Sequence, residues 1–255
     1  MNDVVKRIVS ESGNSFHCKV ANAFRDRGWT TLMSSYYIDT ATDKAREIDL
    51  IAEKAYLVAD AFSQVAKSIR LRLYIECKYI SQHVVFWFDS RDEQRARGWI
   101  YRNTPFTKGN TLISEHHHIR SVSSVAKLFA SESKRNEDND PIFRALNQCL
   151  NGYVHHRGGG PLIPTRGSEQ MALLEYPVIM CSDFKTFYRT DIPKNQDPQE
   201  IRDNFLLEVN YAFVDKNKAS RRDYFLVDVV DFGSLNLFLA ALDHEVEHAA
   251  MLVGY

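Results

Sequence analysis

The feature that most constrains the fold of this chain is an alternation of apolar and charged residues over positions 69–79, Ile-Arg-Leu-Arg-Leu-Tyr-Ile-Glu-Cys-Lys-Tyr. A period of two is typical of a β-strand, because successive side chains point to opposite faces of a sheet. The odd positions up to Cys77 form an apolar face. The even positions share the other face and are Arg70, Arg72, Tyr74, Glu76 and Lys78.

Other segments predict helices and further strands around this one. Apolar residues at helical spacing predict helices over 14–27 and 141–153 and a final helix that begins at Ser234. Short β-rich runs predict strands at 30–38, 47–52, 84–88, 177–181, 205–213 and 224–231. This order predicts an α/β fold with a mixed central sheet flanked by helices.

Composition narrows the class of protein. Hydrophobic residues make up 44% and charged residues 25% of the 255 positions, which is typical of globular proteins and excludes collagen and mainly disordered chains. No apolar run reaches the roughly 18 residues of a membrane span, and charges interrupt the first eleven residues, so we expect a cytoplasmic protein without a membrane partner. The formal charge of -1 provides no overall basic field, so any nucleic acid must be held by a local patch.

Two neighbouring predicted strands carry a set of residues suited to chemistry. Glu76 and Lys78 point the same way, about 6 to 7 Å apart along a strand. Asp49 lies on the preceding strand and comes beside Glu76 if the two strands pair. Carboxylate oxygens hold Mg²⁺, which activates water for phosphodiester hydrolysis, and a lysine can orient that water. On alternation alone, the ordinary interpretation is a half-buried strand whose charges are solvated.

The context of these residues resembles the PD-(D/E)xK nuclease superfamily, and Mrr-like restriction endonuclease domains within it. The resemblance consists of a helix ending in Arg-Gly-Trp at 27–29, then Arg-Glu-Ile-Asp-Leu-Ile-Ala at 46–52, then Tyr-Ile-Glu-Cys-Lys-Tyr at 74–79. It implies a restriction-endonuclease-like core over residues 10–182 with an insertion at about 89–140, and a C-terminal extension over 183–255 that adds strand and helix to the same domain. It also implies catalytic and metal-binding roles.

Those implied roles fall on a few positions. Asp49 and Glu76 would bind Mg²⁺, for which Mn²⁺ can substitute, and Lys78 would assist the attacking water. Relatives often carry an acid on the first helix where this chain has His17, and Glu11 is the nearest acid, so Glu11 and Gln148 on the second helix are accessory candidates. A homodimer is expected by analogy, because cutting both strands is often shared between subunits.

A basic stretch follows the Glu-x-Lys strand. Residues 91–127 contain seven Lys or Arg residues and three acidic residues, which gives a local charge of 7 - 3 = +4. Arg95, Arg97 and Arg102 are therefore candidates for nucleic-acid binding through phosphates. An ordinary solvated insertion anchored by its aromatic residues is the alternative.

Two histidine patterns suggest a different chemistry. His244, Glu245 and His248 match the H-E-x-x-H pattern of zinc peptidases. No acid or histidine follows them to serve as a third ligand, and both histidines lie about 200° from the apolar stripe, which favours a solvated face. The run His116–His118 is interpreted as polar loop contacts.

The sequence as a whole predicts a Mg²⁺-dependent endonuclease that hydrolyses phosphodiester bonds, in DNA rather than RNA, within restriction, defence or repair. The first alternative is a catalytically silent nucleic-acid-binding or scaffolding module of the same fold. A zinc peptidase is the second.

Overall fold

A ten-stranded mixed sheet flanked by helices forms the centre of the protein, as the sequence predicts. The computed structural model describes residues 3–11, 13–58, 66–120, 123–132, 140–164, 170–192, 197–215 and 217–254. The strands are β1 (Thr30–Asp39), β2 (Lys44–Val58), β3 (Lys67–Lys78), β4 (Val84–Ser90), β5 (Ser124–Ser131), β6 (Gln170–Cys181), β7 (Phe187–Asp191), β8 (Gln199–Glu200), β9 (Phe205–Val214) and β10 (Ser220–Asp231). The α-helices are α1 (Asp3–Glu11), α2 (Asn14–Arg25), α3 (Glu93–Asn103), α4 (His117–Arg120), α5 (Pro141–His156) and α6 (Leu235–Val253).

The strands lie in the order β1-β2-β3-β6-β10-β9-β5-β4-β7-β8. The first three form an antiparallel meander, and β6 pairs in parallel with both β3 and β10. The segment after residue 182 therefore supplies β10 and β9 to the middle of the sheet. Among the helices of the described ranges, none is both long enough and apolar enough to span a membrane.

The charged face of β3 is buried, so the interpretation of its charges as solvated is wrong. Arg72 is 3% and Glu53 0% exposed, and an Arg72 guanidinium nitrogen lies 2.5 Å from the Glu53 carboxylate. Arg72 also pairs with Glu175 of β6, at 3.3 Å. Because buried charges are costly unless paired, these ion pairs are what allows a strand with charges on alternate positions to lie inside the sheet.

Helices cover both faces of this part of the sheet. Tyr74 of β3 pairs with Pro177 of β6, and its ring contacts Tyr153 of α5. Tyr176, the neighbour of Pro177, must point to the opposite face, where it contacts Glu245 of α6. Helix α5 therefore lies on one face and helix α6 on the other.

The region between β4 and α5 contains elements that the sequence reasoning missed. Helix α3 begins at Glu93 after Asp92, whose side chain accepts a hydrogen bond from the backbone of Arg95. Ala96, Trp99 and Ile100 are its buried positions. The capping Asp92 and the i, i+3, i+4 spacing of these apolar residues are the sequence signals that indicate this helix. The polar run at 131–140 is typical in sequence of an exposed loop, and most of it, residues 133–139, lies outside the described residues.

Candidate active site

Asp49 and Glu76 lie where two neighbouring strands separate. The β2–β3 ladder runs from Val58 and Lys67 to its last pair, Leu50 and Ile75. Asp49 and Glu76 are the next residue on each strand. Oδ2 of Asp49 accepts a hydrogen bond of 2.8 Å from the backbone N–H of Cys77, the residue after Glu76. The end of the ladder thus holds the two carboxylates beside each other without a backbone bond between them.

Glu76 is fully buried and only half satisfied. Its Oε1 accepts a hydrogen bond of 2.6 Å from Nζ of Lys78. Its Oε2 has no hydrogen-bond partner among the described residues. Burial, and then the neighbouring Asp49 carboxylate, raise the pKa of Glu76 to about 8, although Lys78 acts in the opposite direction. A buried carboxylate oxygen without a partner is expected where a cation or a proton is to be bound.

Helix α5 fixes the position of the lysine. The side-chain Oε1 of Gln148 accepts a hydrogen bond of 2.9 Å from Nζ of Lys78. The ammonium group is therefore held between Gln148 and Glu76, and the Lys78 side chain is 24% exposed. The structure thus brings the accessory candidate Gln148 to the Glu-x-Lys strand through its contact with the lysine.

Helix α2 places a histidine at the same point. Nε2 of His17 lies 3.4 Å from Oδ2 of Asp49. An imidazole on α2 therefore lies beside the Asp49 carboxylate at this end of the strands. The side chain of Glu11, the other accessory candidate, lies outside the described residues.

The residues at this point fit a hard divalent cation. Two adjacent carboxylates, one with an unpartnered buried oxygen, are the type of ligand that Mg²⁺ prefers. Within the described parts of the chain, none of the groups of three or more His, Cys, Asp and Glu side chains that could share one ion includes Asp49 or Glu76. Mg²⁺ tolerates this, since it is usually bound by one or two carboxylates plus waters and substrate phosphates.

A groove leads away from the site along α5. It has a volume of about 460 Å³ and lies between β1, β2 and α5. Gln148 lines it together with Arg46, Arg144 and Asn147. The two arginines and the amides provide donors suited to phosphate oxygens, and Glu47 is the one acidic residue among the described residues of the lining.

The three candidate arginines for nucleic-acid binding lie elsewhere, on α3. This helix packs on β10, β6 and α4. Arg97 pairs with Glu93 at 3.7 Å and Arg102 with Asp223 at 3.3 Å, and Arg95 contacts the side chain of Asn210. The contacts of these arginines are thus with α3 itself and with β9 and β10.

The histidines at 116–118 are core residues, so their interpretation as polar loop contacts is wrong. His116, His117 and His118 are 0%, 6% and 0% exposed. They surround Asp228 of β10 and Glu245 of α6, both of them also buried. The sequence reasoning missed Asp228, and the available signal was a lone acid inside the apolar run of β10.

The H-E-x-x-H residues are likewise not a solvated face. Glu245 is 0% exposed and is hydrogen-bonded to Nδ1 of His117 and to the hydroxyl of Tyr176. The expectation of a solvated face is wrong for Glu245, which lies beside Val246 on the buried stripe, where Tyr176 and His117 satisfy its carboxylate. His244 and His248 are half-buried, and Glu115 reaches His244 at 3.0 Å from the amino-terminal side of the chain. A third ligand is thus present, but Glu245 is directed into the core and cannot serve these histidines as a base.

Comparisons with protein-family models, with curated proteins and with solved structures find no match for this chain. Its function is therefore inferred from its own residues and their geometry.

Proposed function

We propose that this protein is a metal-dependent nuclease whose catalytic residues are Asp49, Glu76 and Lys78. The observation that carries the proposal is the buried Glu76 carboxyl, which has one oxygen on Lys78, the other without a described partner, and Asp49 beside it. The Asp49 carboxyl lies within hydrogen-bond reach of the Glu76 carboxyl, and only a shared proton or a cation allows two carboxyl groups to lie this close.

Each residue has a distinct role in this proposal. Asp49 and Glu76 would hold Mg²⁺ or Mn²⁺, which when bound polarises a phosphoryl oxygen and lowers the pKa of water. Lys78, fixed by Gln148, orients the attacking water and offsets negative charge near the phosphate. His17 positions Asp49 by its contact with Oδ2. Arg46 and Arg144 contact substrate phosphates along the groove.

The class of substrate and the setting are finer parts of the same proposal. DNA is favoured over RNA, and restriction, defence or repair over metabolism, by the resemblance of residues 27–29, 46–52 and 74–79 to Mrr-like nucleases. The proposal also includes a cytoplasmic location, from the absence of a long apolar run, and a homodimer, by analogy with the resembled nucleases. The alternative is a silent nucleic-acid-binding or scaffolding module, and only metal-dependent cleavage separates the two.

The test is cleavage of supercoiled plasmid and of single-stranded DNA and RNA oligonucleotides over a series of pH values and Mg²⁺ concentrations. Asp49→Ala is expected to lose activity, and Lys78→Met to lose cleavage by about 100-fold or more while keeping its fold and DNA affinity. Lys54→Met is the matched control, because Lys54 lies on β2, is 28% exposed and pairs with Asp243 instead of the candidate site.

The outcomes separate the alternatives. A wild type that cuts no nucleic acid would favour the silent module, and an active Asp49→Ala would refute the assignment of the site. Recovery of Lys78→Met at higher pH or Mg²⁺ would show that Lys78 only neutralises charge.

A further inference from the structure

A second group of ionisable side chains lies on the opposite face of the sheet from the candidate active site, and it borders a cavity. His117, His118 and Asp228 are 6%, 0% and 5% exposed. His117 and Asp228 line a cavity of about 250 Å³. Its apolar walls include Phe205, Leu206 and Phe238. The group is therefore buried in protein on one side and reaches an open space on the other.

The spacing of its three nearest ligand atoms suits a tetrahedral cation. Oδ2 of Asp228 lies 3.2 Å from Nε2 of His117 and 3.0 Å from Nε2 of His118. Ligand atoms bound to Zn²⁺ at about 2.0 to 2.1 Å in a tetrahedron are about 3.3 Å from one another. The two separations from Asp228 Oδ2 therefore match a tetrahedral site to within a few tenths of an ångström, and all three ligand atoms lie within 4.8 Å of one another.

The far side of His117 is arranged as in known zinc centres. Nδ1 of His117 is hydrogen-bonded to Glu245, and the hydroxyl of Tyr176 donates to the other oxygen of the same carboxylate. The backbone N–H of His117 also donates to the Glu245 carboxylate, so Glu245 holds both the main chain and the ring of His117 in place. Metal-binding histidines characteristically donate their second ring N–H to a carboxylate, which leaves Nε2 to bind the metal.

The cluster also contains a second buried carboxylate. Asp228 and Glu245 are 5% and 0% exposed, and the imidazoles of residues 116–118 surround them. Two buried carboxylates favour a cation at this point, because a buried negative charge is costly unless it is paired.

We propose that His117 Nε2, His118 Nε2 and Asp228 Oδ2 form a site for Zn²⁺ or a similar transition-metal ion, with a fourth coordination position open to the cavity. Two imidazoles and one carboxylate select such ions over Mg²⁺, which prefers oxygen ligands. Three protein ligands and one open position are the pattern of reactive zinc centres, in which water or a small ligand takes the fourth place. Glu245 is a positioning residue, because it acts through His117.

The other two candidate groups in the described residues are weaker. His116, His117 and Glu245 can also be brought around one ion, but Nδ1 of His116 already accepts a hydrogen bond from the backbone of His118. Only His117 of that group lines the cavity, whereas both His117 and Asp228 of the proposed site line it. Glu115, His244 and His248 are half-buried on the helix surface, which makes them a useful control.

The test measures metal binding by the full chain after removal of metal with a chelator. Zn²⁺ titrated into the wild type is expected to bind, and Co²⁺ is expected to give the intense visible absorption of four-coordinate cobalt. Asp228→Asn should weaken Zn²⁺ binding by more than 100-fold and abolish that absorption. Glu245→Gln should weaken binding by about 10- to 100-fold while retaining it. The double variant His244→Gln/His248→Gln should leave both signals unchanged.

A structural control keeps the test decisive. Circular dichroism and thermal unfolding show whether Asp228→Asn still folds. If it does not, the ring ¹⁵N resonances of His117 and His118 in the wild type replace it, and they should shift on addition of Zn²⁺ while those of exposed His83 do not. A wild type that binds neither ion, or metal that survives in Asp228→Asn and disappears in the double variant, would overturn the proposal. These readouts do not involve nucleic-acid cleavage, so the nuclease proposal can fail or succeed separately.

Discussion

The Glu76 carboxyl combines complete burial with a nearby carboxylate, and this has a consequence for stability in the absence of metal. Its pKa of about 8 in the folded protein is above the value of 4.5 expected in the unfolded chain. The folded state therefore holds a proton that the unfolded state has released over this range. That contribution to stability is fully present below pH 4.5 and is lost as pH rises through 8.

We therefore expect the free energy of unfolding of the metal-free wild type to fall, relative to that of Glu76→Gln, by on the order of 3 kcal/mol between about pH 5 and 8. Urea unfolding in EDTA at several pH values measures this difference. Exposed Glu247 provides the control, because Glu247→Gln should keep the wild-type dependence. Equal pH dependence in wild type and Glu76→Gln would show that Glu76 is ionised throughout.

At the scale of the elements, the approach of α5 to β2 holds Gln148 over the candidate site, and Gly152 makes that approach close. A Cβ built on Gly152 would lie 2.8 Å from Cδ1 of Ile48, the residue before Asp49. Such a contact is shorter than van der Waals packing allows, and Cβ of Ile48 would also lie at 3.1 Å, so Ile48 or the elements that carry it and Gly152 would have to shift. The distance between the helix and the strand is thus set by a glycine.

Gly152→Ala is therefore expected to destabilise the protein by about 1 to 3 kcal/mol despite the better helix propensity of alanine. Gly98→Ala on α3 is the control. Its Cβ would meet only Nη1 of Arg102 at 3.5 Å, so a gain of up to about 1 kcal/mol is expected. Ile48→Val removes Cδ1 and should relieve part of the penalty in a double variant. Chemical denaturation measures the free energy of unfolding of the three single variants and the double variant. A Gly152→Ala variant as stable as the wild type would contradict the close approach of α5 to β2.

Helix α3 permits a separate prediction about nucleic acid. Arg95, Arg97 and Arg102 are predicted to contact phosphates, so replacing all three with Ala should weaken binding equally on all sequences. It should also reduce the slope of log affinity against log salt by about 0.9 for each phosphate that these side chains neutralise in the wild type. Replacing exposed Arg202, Lys218 and Arg221 removes the same charge and is the control. An unchanged slope in the α3 variant would show that these arginines do not contact phosphates. The groove beside Gln148 would then be the next candidate for the binding surface.

At the scale of the whole molecule, features that depend on local sequence were predictable, and features that depend on contacts between distant segments were not. The alternation over 69–79 was sufficient to predict β3 and the common direction of Glu76 and Lys78, because strand periodicity is local. It was not sufficient to predict burial of its charged face, because the partner Glu175 of Arg72 lies on β6. The three histidines at 116–118 were misjudged for the same reason, since their partners lie on β10 and α6. In both cases a segment that is distant in sequence supplies part of the opposite charge that allows burial.

The parallel pairing of β3 with β6 also determines when the candidate active site can form during synthesis. β2 and β3 are adjacent in the chain and can pair early, whereas Lys67 of β3 must wait for Gln170 of β6, about a hundred residues later. Closing so long a loop slows folding, and unpaired strand edges promote aggregation in the meantime. A nascent chain released before β6 and α5 emerge from the ribosome would contain Asp49, Glu76 and Lys78 but neither Gln148 nor the strand that buries them. The order of synthesis thus delays the assembled site until β6 has been made, about a hundred residues after β3.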